Sequence, residues 1–296
     1  METRMLTNFI VLTRVGNITQ AANELHTTQP TLSRQLKDLE EEVGAQLFIR
    51  GKRSITLTDA GVLFEQRAQK ILNIVAQTTT DIQQQTTGLA GNLRIGCVES
   101  KISTHVADWL ADFQHQHPNI HFSLFSADGN SIRAQMDRGE LDVGFLLEPI
   151  ESAKYHAHSI PVTETWGLIM AHDAPLASHK VVTGADLTDL PLIGPRRQIV
   201  QNQIATWLRV DSDSLNFRGD RNLENNVVPL MVNHGYYDIG IDGVLDFYLN
   251  HQLAFVPFSP TSQTRHTMIW RKNHTPSPIT QAWIDFVVSQ VRQMPI

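Results

Sequence analysis

The stretch Ile18-Thr19-Gln20-Ala21-Ala22-Asn23-Glu24-Leu25-His26-Thr27-Thr28-Gln29-Pro30-Thr31-Leu32-Ser33-Arg34-Gln35-Leu36-Lys37-Asp38-Leu39-Glu40 reads as two helices and the turn between them. Ala21, Ala22 and Leu25 make one short apolar stripe. Leu32, Leu36, Leu39 and Val43 recur at i, i+4, i+7 and i+11, one face of a helix. Thr28 is placed to N-cap that helix, and Pro30 falls in its first turn, where a missing N–H costs little. Gly44 follows Val43 as a C-cap. Upstream, Leu6, Phe9 and Ile10 give a further apolar stripe. Two helices joined by His26-Thr27-Thr28 predict a helix-turn-helix, although the glycine often found in that turn is missing.

With the leucine stripe turned inward, Pro30, Arg34, Lys37 and Glu41 point outward and Ser33 lies on the flank. Glu40, Glu41 and Glu42 would repel phosphates, so the N-terminal half of the helix is the part that can enter a groove. That half offers Thr27, Gln29, Pro30, Thr31, Ser33 and Arg34, with Lys37 just beyond. Gln and Arg suit base edges, while Ser and Thr suit phosphate oxygens. Leu47-Phe48-Ile49 and Ser54-Ile55-Thr56-Leu57 predict a small hairpin whose basic tip, Arg50, Lys52 and Arg53, would lie against a DNA backbone or minor groove.

Whole-chain charge argues the other way. The 296 residues carry a net charge of -6, which by itself speaks against nucleic acid as a partner. Residues 1–90, however, hold equal numbers of basic and acidic residues, so the entire acidic excess lies beyond them. The length suggests about two domains. No apolar run approaches the roughly 20 residues of a membrane span, and the start of the chain does not read as a signal core. A single cysteine fits a reducing cytoplasm.

From Thr58 a long helix is expected. Phe64, Ala68, Ile71, Val75, Thr78 and Ile82 step alternately by four and three, a heptad seam that would pair two copies; the other reading is a stripe packed on its own domain. After about residue 88, strand-like and helical segments alternate, which predicts an α/β fold. Gly139-Glu140-Leu141-Asp142-Val143-Gly144-Phe145 and Gly235-Tyr236-Tyr237-Asp238-Ile239-Gly240-Ile241 repeat one pattern, which implies two lobes with equivalent closing strands. Small ligands collect beyond the carboxyl ends of such strands. The candidates there are Glu99, Ser100, Lys101, Ser126, Phe145, Arg196, Gln198 and Asp242. His115, His117, His121, His156 and His158 read as surface residues and Cys97 as strand packing, so no metal or cofactor is expected. No catalytic fingerprint occurs.

Phe9 to Gly16, Ile18 to His26, Thr28 to Glu40, Leu47-Phe48-Ile49-Arg50 and Leu57-Thr58-Asp59-Ala60-Gly61 resemble the N-terminal signature of LysR-type transcriptional regulators. The resemblance implies an all-α winged helix-turn-helix with a long linker helix, then a two-lobed α/β effector domain like periplasmic binding proteins. The corresponding division is a DNA-binding domain over 1–58, a dimerisation helix over 59–87 and an effector domain over 88–296. Lobe I would be about 92–161 with 266–296, and lobe II about 162–265. It also implies a homodimer or homotetramer on a promoter palindrome, answering a small effector held in the strand-end loops. The rival readings are a solute-binding protein whose N-terminal helices serve oligomerisation, and an α/β enzyme.

Overall fold

Asn17 and Thr28 fix where two helices begin. The Asn17 side chain accepts hydrogen bonds from the Thr19 and Gln20 N–H groups at the head of α2 (Ile18–Glu24), and Thr28 accepts from Thr31 N–H at the head of α3 (Gln29–Val43). In the computed structural model, which describes residues 1–51, 54–87, 89–151, 153–247 and 252–294 (but not the side chains of 77, 80–87 and 212), the chain divides into two compact units. The first comprises Met1–Thr87 with Arg138–Glu140, and the second is built from Gly88–Asp137 and Leu141–Ile296.

In the first unit α1 (Thr3–Val15) packs with α2 and α3 over Phe9, Leu12, Ala21, Leu32, Leu36 and Leu39. Strands β1 (Phe48–Arg50) and β2 (Ile55–Leu57) pair antiparallel, and α4 (Asp59–Thr87) follows. The expected inward stripe of α3 is one residue shorter than its periodicity, because Val43 sits at the last turn and is 39% exposed. The heptad seam also splits. Phe64 packs edge-on against Phe9 at 5.1 Å, and Ala68 is buried. A helix that starts on its own domain must spend its first turns there, so the described seam residues become exposed only from Ile71 onward, at Ile71, Val75 and Thr78. Leu63 and Ile74, outside the seam, are more so, at 56% and 57%. The side chain of Ile82 lies outside the described residues.

The second unit is one continuous mixed sheet. Its first part holds β3 (Gly91–Cys97), α5 (Ile102–Gln116), β4 (Ile120–Ser126), α6 (Gly129–Arg138) and β5 (Val143–Leu147). Then β6 (Tyr155–Ala171) leads to α7 (Gly184–Leu187), β7 (Leu192–Pro195), α8 (Gln198–Leu208), β8 (Phe217–Arg221), α9 (Val228–His234), β9 (Tyr237–Ile241) and β10 (Leu253–Pro257). The chain returns through β11 (Gln263–Arg271) and closes with α10 (Pro278–Gln293). Strand order is β4-β3-β5-β11-β6-β9-β7-β8, with β10 also on β6. The outer groups are parallel, whereas β11 and β6 run antiparallel to each other and to their neighbours.

Two apolar cores result, one around Trp109, Phe113 and Trp283, the other around Leu168, Ile204 and Phe258. β6 is long enough to serve both. Its Tyr155–Ile160 half pairs with β11 in lobe I, and its Trp166–Ala171 half pairs with β9 and β10 in lobe II. The register of β6 and β11 shifts between Arg265 and His266, so the crossing carries a bulge. The repeated heptapeptides do equivalent work. Gly139 and Gly235 end their helices at positive φ, which glycine adopts without penalty. Asp142 and Asp238 are buried acceptors for Arg94 (2.7 Å) and Arg221 (2.8 Å).

Candidate nucleic-acid interface and effector cavity

The turn between α2 and α3 solves its missing glycine with His26, whose φ of 50 lies in the left-handed region. That conformation aims α3 so that Gln29, Pro30, Thr31, Arg34 and Lys37 are exposed and Thr27 and Ser33 half-buried. Arg34 has no hydrogen bond or ion pair among the described residues. Gln29 Nε2 donates to Ser33 Oγ at 3.0 Å, and Arg50 reaches the same hydroxyl at 3.5 Å. Arg50, exposed, also lies over the Phe48 ring. The foot of the hairpin therefore adjoins the N-terminal half of α3; Lys52 and Arg53 fall outside the described residues.

The acidic end of α3 differs from its expectation as a free repelling cluster. Glu40 Oε1 accepts the N–H groups of Leu47 (2.7 Å) and Phe48 (3.3 Å), fastening the hairpin to the helix. Glu41 pairs with the exposed Lys37 at 3.3 Å. Glu42 meets the chain's amino terminus.

In the second unit a cavity of about 80 Å³ opens between the two lobes. At roughly 10–15 Å³ per water it holds about six waters, the space of a small metabolite. Glu99 and Arg196 line it, as expected of strand-end residues. The other candidates are engaged elsewhere. Ser100 is fully buried, 2.8 Å from His266 Nε2, and Phe145 is packed beside Trp109 in the lobe I core. Lys101 Nζ lies 2.6 Å from Asp242 Oδ2, so these two neutralise each other across the lobes. Gln198 is bonded to Asn202, and Ser126 is exposed away from the cavity.

Glu164, on the crossing strand β6, accepts Lys101 N–H (2.7 Å) and Gly243 N–H (3.0 Å), one from each lobe. Burial, with the Asp242 carboxylate beside it, pushes Glu164 up to about 7. Burial likewise pulls His266 down to about 4. The crossing is thus a buried polar node that ties the two lobes together.

Residues 3–62 match the model of the bacterial regulatory helix-turn-helix protein, lysR family, and residues 86–292 match the LysR substrate binding domain. The chain belongs to the LysR family. Among curated relatives it is similar to the uncharacterized HTH-type transcriptional regulator YnfL of Escherichia coli, 32% identical over 65% of each chain. It is also similar to the Hca operon transcriptional activator HcaR of the same organism, 34% identical over 63% of this chain and 62% of that one. The chain thus matches somewhat less than two thirds of the length of these two relatives. Among solved structures, CbnR, a LysR family transcriptional regulator, superposes with a TM-score of 0.77 at 22% identity, covering 98% of this chain and 99% of CbnR. The same protein in complex with its target DNA gives 0.75.

Family membership makes the first unit the DNA-binding part of a transcriptional regulator and the second its effector-binding domain. Within that LysR-family domain, strand-end reasoning misses Trp166, Arg197, Arg221 and Glu224, all on the cavity wall. Arg197 has a sequence signal, since it stands beside Arg196 in a strand-end loop. Trp166 has none, because nothing in a long β-strand shows which residue faces the gap it crosses. No described helix is long and apolar enough to cross a membrane.

Proposed function

We propose that this regulator reads promoter DNA with Gln29, Pro30, Thr31, Ser33 and Arg34 of α3, with Thr27, Lys37, Arg50 and Arg53 on phosphates. The observation that supports this most is the exposed, unengaged Arg34 beside the linked Gln29, Ser33 and Arg50. Residues 1–58 act as the winged DNA-binding domain, 59–87 as the dimerisation helix and 88–296 as the effector domain. Two copies pair through the exposed Ile71, Ile74 and Val75 of α4, and pairs of dimers supply the avidity that a neutral DNA-binding segment lacks. The protein works in the cytoplasm without catalysing a reaction. A small effector between the lobes favours one lobe arrangement about the β6 and β11 crossings, and this population shift alters the DNA-bound form.

Fluorescence anisotropy on the promoter duplex and on a scrambled duplex tests the assignment. Arg34→Ala should weaken specific binding by about 1–3 kcal/mol while leaving scrambled DNA nearly unaffected. Equal losses on both duplexes, or none, would remove Arg34 from base recognition.

A further inference from the structure

The charges around the inter-lobe cavity fall into two groups of opposite sign. Around Arg197 stand Arg133, Asp128 and Glu151, with Arg196 next to it in sequence. Asp128 is taken by Arg196, through bonds of about 2.5 and 3.1 Å, and Glu151 by Arg133 at 2.8 Å. Arg197 is left without a carboxylate among the described residues. One of its terminal nitrogens donates to the Pro149 carbonyl at 2.9 Å, and its Nε is buried with no acceptor.

Around Arg221 the balance is reversed. Asp238 and Glu224 are bonded to it at 2.8 and 2.7 Å, both buried, and Glu99 lies within electrostatic reach of Glu224. One guanidinium there faces three carboxyl groups. Glu99 itself has no hydrogen bond or ion pair among the described residues and lines the cavity. Trp166 supplies a further observation. It is 5% exposed, lines the same cavity, and its indole N–H has no acceptor.

We infer that the effector is a small zwitterion, an amino-carboxylate whose carboxylate is held by Arg197 and the Trp166 indole N–H and whose ammonium is held by Glu99. This rests on the reading of the inter-lobe cavity as the effector site. A monoanion would meet the acid excess around Arg221, and a simple amine would leave the buried donors of Arg197 and Trp166 unanswered, so each single-charge ligand fails at one group. Cavity size restricts the class to amino acids with short side chains, and Val98, Leu147, Val200 and Ile241 give the wall an apolar part beside Glu148 and Asn222.

Isothermal titration of the full-length protein tests the proposal, with L-alanine, L-valine and γ-aminobutyrate against butyrate and n-propylamine. At least one amino-carboxylate should bind about tenfold or more tighter than either single-charge compound, as expected when a charged hydrogen bond is lost. Arg197→Gln should abolish that binding. Glu99→Gln should weaken the amino-carboxylate and bring butyrate level with it, while both variants keep the wild-type circular dichroism and specific DNA affinity without ligand. Butyrate matching the amino-carboxylates on the wild-type protein, or no binding by any of the three, overturns the zwitterion class. A ligand that binds unchanged to both variants sits elsewhere and overturns the cavity as the effector site itself.

Discussion

Replacing Glu40 separates two accounts of the acidic end of α3. As a free acid it would act on DNA only through repulsion. In the structure its Oε1 accepts one short bond from Leu47 N–H, at 2.7 Å, and one long bond from Phe48 N–H, at 3.3 Å. A charge-assisted hydrogen bond is worth about 1.5–3 kcal/mol, and the long one much less; partial exposure of Glu40 lowers the sum. Glu40→Ala should therefore cost about 2 kcal/mol at this joint. Glu40→Gln keeps an oxygen at the same position and loses only the charge assistance, about 1 kcal/mol. Native-state hydrogen exchange reads the joint directly, because the Leu47 and Phe48 amides are the groups released. Their protection should fall about 30-fold in the alanine variant and about fivefold in the glutamine variant. Promoter affinity should fall in the same order, since the hairpin carrying Arg50 loses its anchor. If both variants instead bind DNA tighter by the same factor, with amide protection unchanged, Glu40 acts by charge alone and the joint is refuted.

Three further outcomes follow from the same geometry. Ile74→Asp places a charge on a large, 57% exposed apolar side chain of α4 and should convert the oligomer to monomer in sedimentation velocity; an unchanged profile would move the interface off this face. Burial pushes the Cys97 thiol up to about 12, so at pH 8 it should resist iodoacetamide until the second unit is unfolded; rapid labelling of native protein would contradict its packing. His266, lowered from 6.5 to about 4, adds stability that is lost as pH falls through that window, whereas Glu164, raised from 4.5 to about 7, adds stability that is lost as pH rises through its own. The two nearly cancel between pH 5 and 6.5, so His266→Gln should leave stability falling with rising pH, by up to about 3 kcal/mol by pH 7 in denaturant titrations. A flat profile in that variant would mean Glu164 is not perturbed.

Much of the first unit is legible in its residues because its determinants are local. Leucine spacing, the Thr28 cap and the glycine after Val43 act within one or two helical turns, and the structure uses all of them. The alternation of strands and helices and the repeated G-x-x-D heptapeptide likewise declare a two-lobed α/β domain. The linker helix shows where local reasoning stops. The seam from Phe64 to Val75 is continuous in sequence, yet Phe64 is claimed by Phe9 and Ala68 is buried, so the face left for a partner begins only at Ile71.

The cavity is further from the sequence. Strand ends locate Glu99 and Arg196 but do not single out Arg197 beside it. Asp128, separated from Arg196 by 68 positions, takes that guanidinium and leaves Arg197 unspent. Lys101, an equally good candidate by position, is consumed by Asp242 at a separation of 141. By itself the sequence determined the helix-turn-helix, the long helix, the two lobes and the family. The tertiary structure alone decided which charged and polar groups remain unpaired at the cavity. Helices and caps are set by neighbours along the chain, whereas the pairing of charges is set by distance through space.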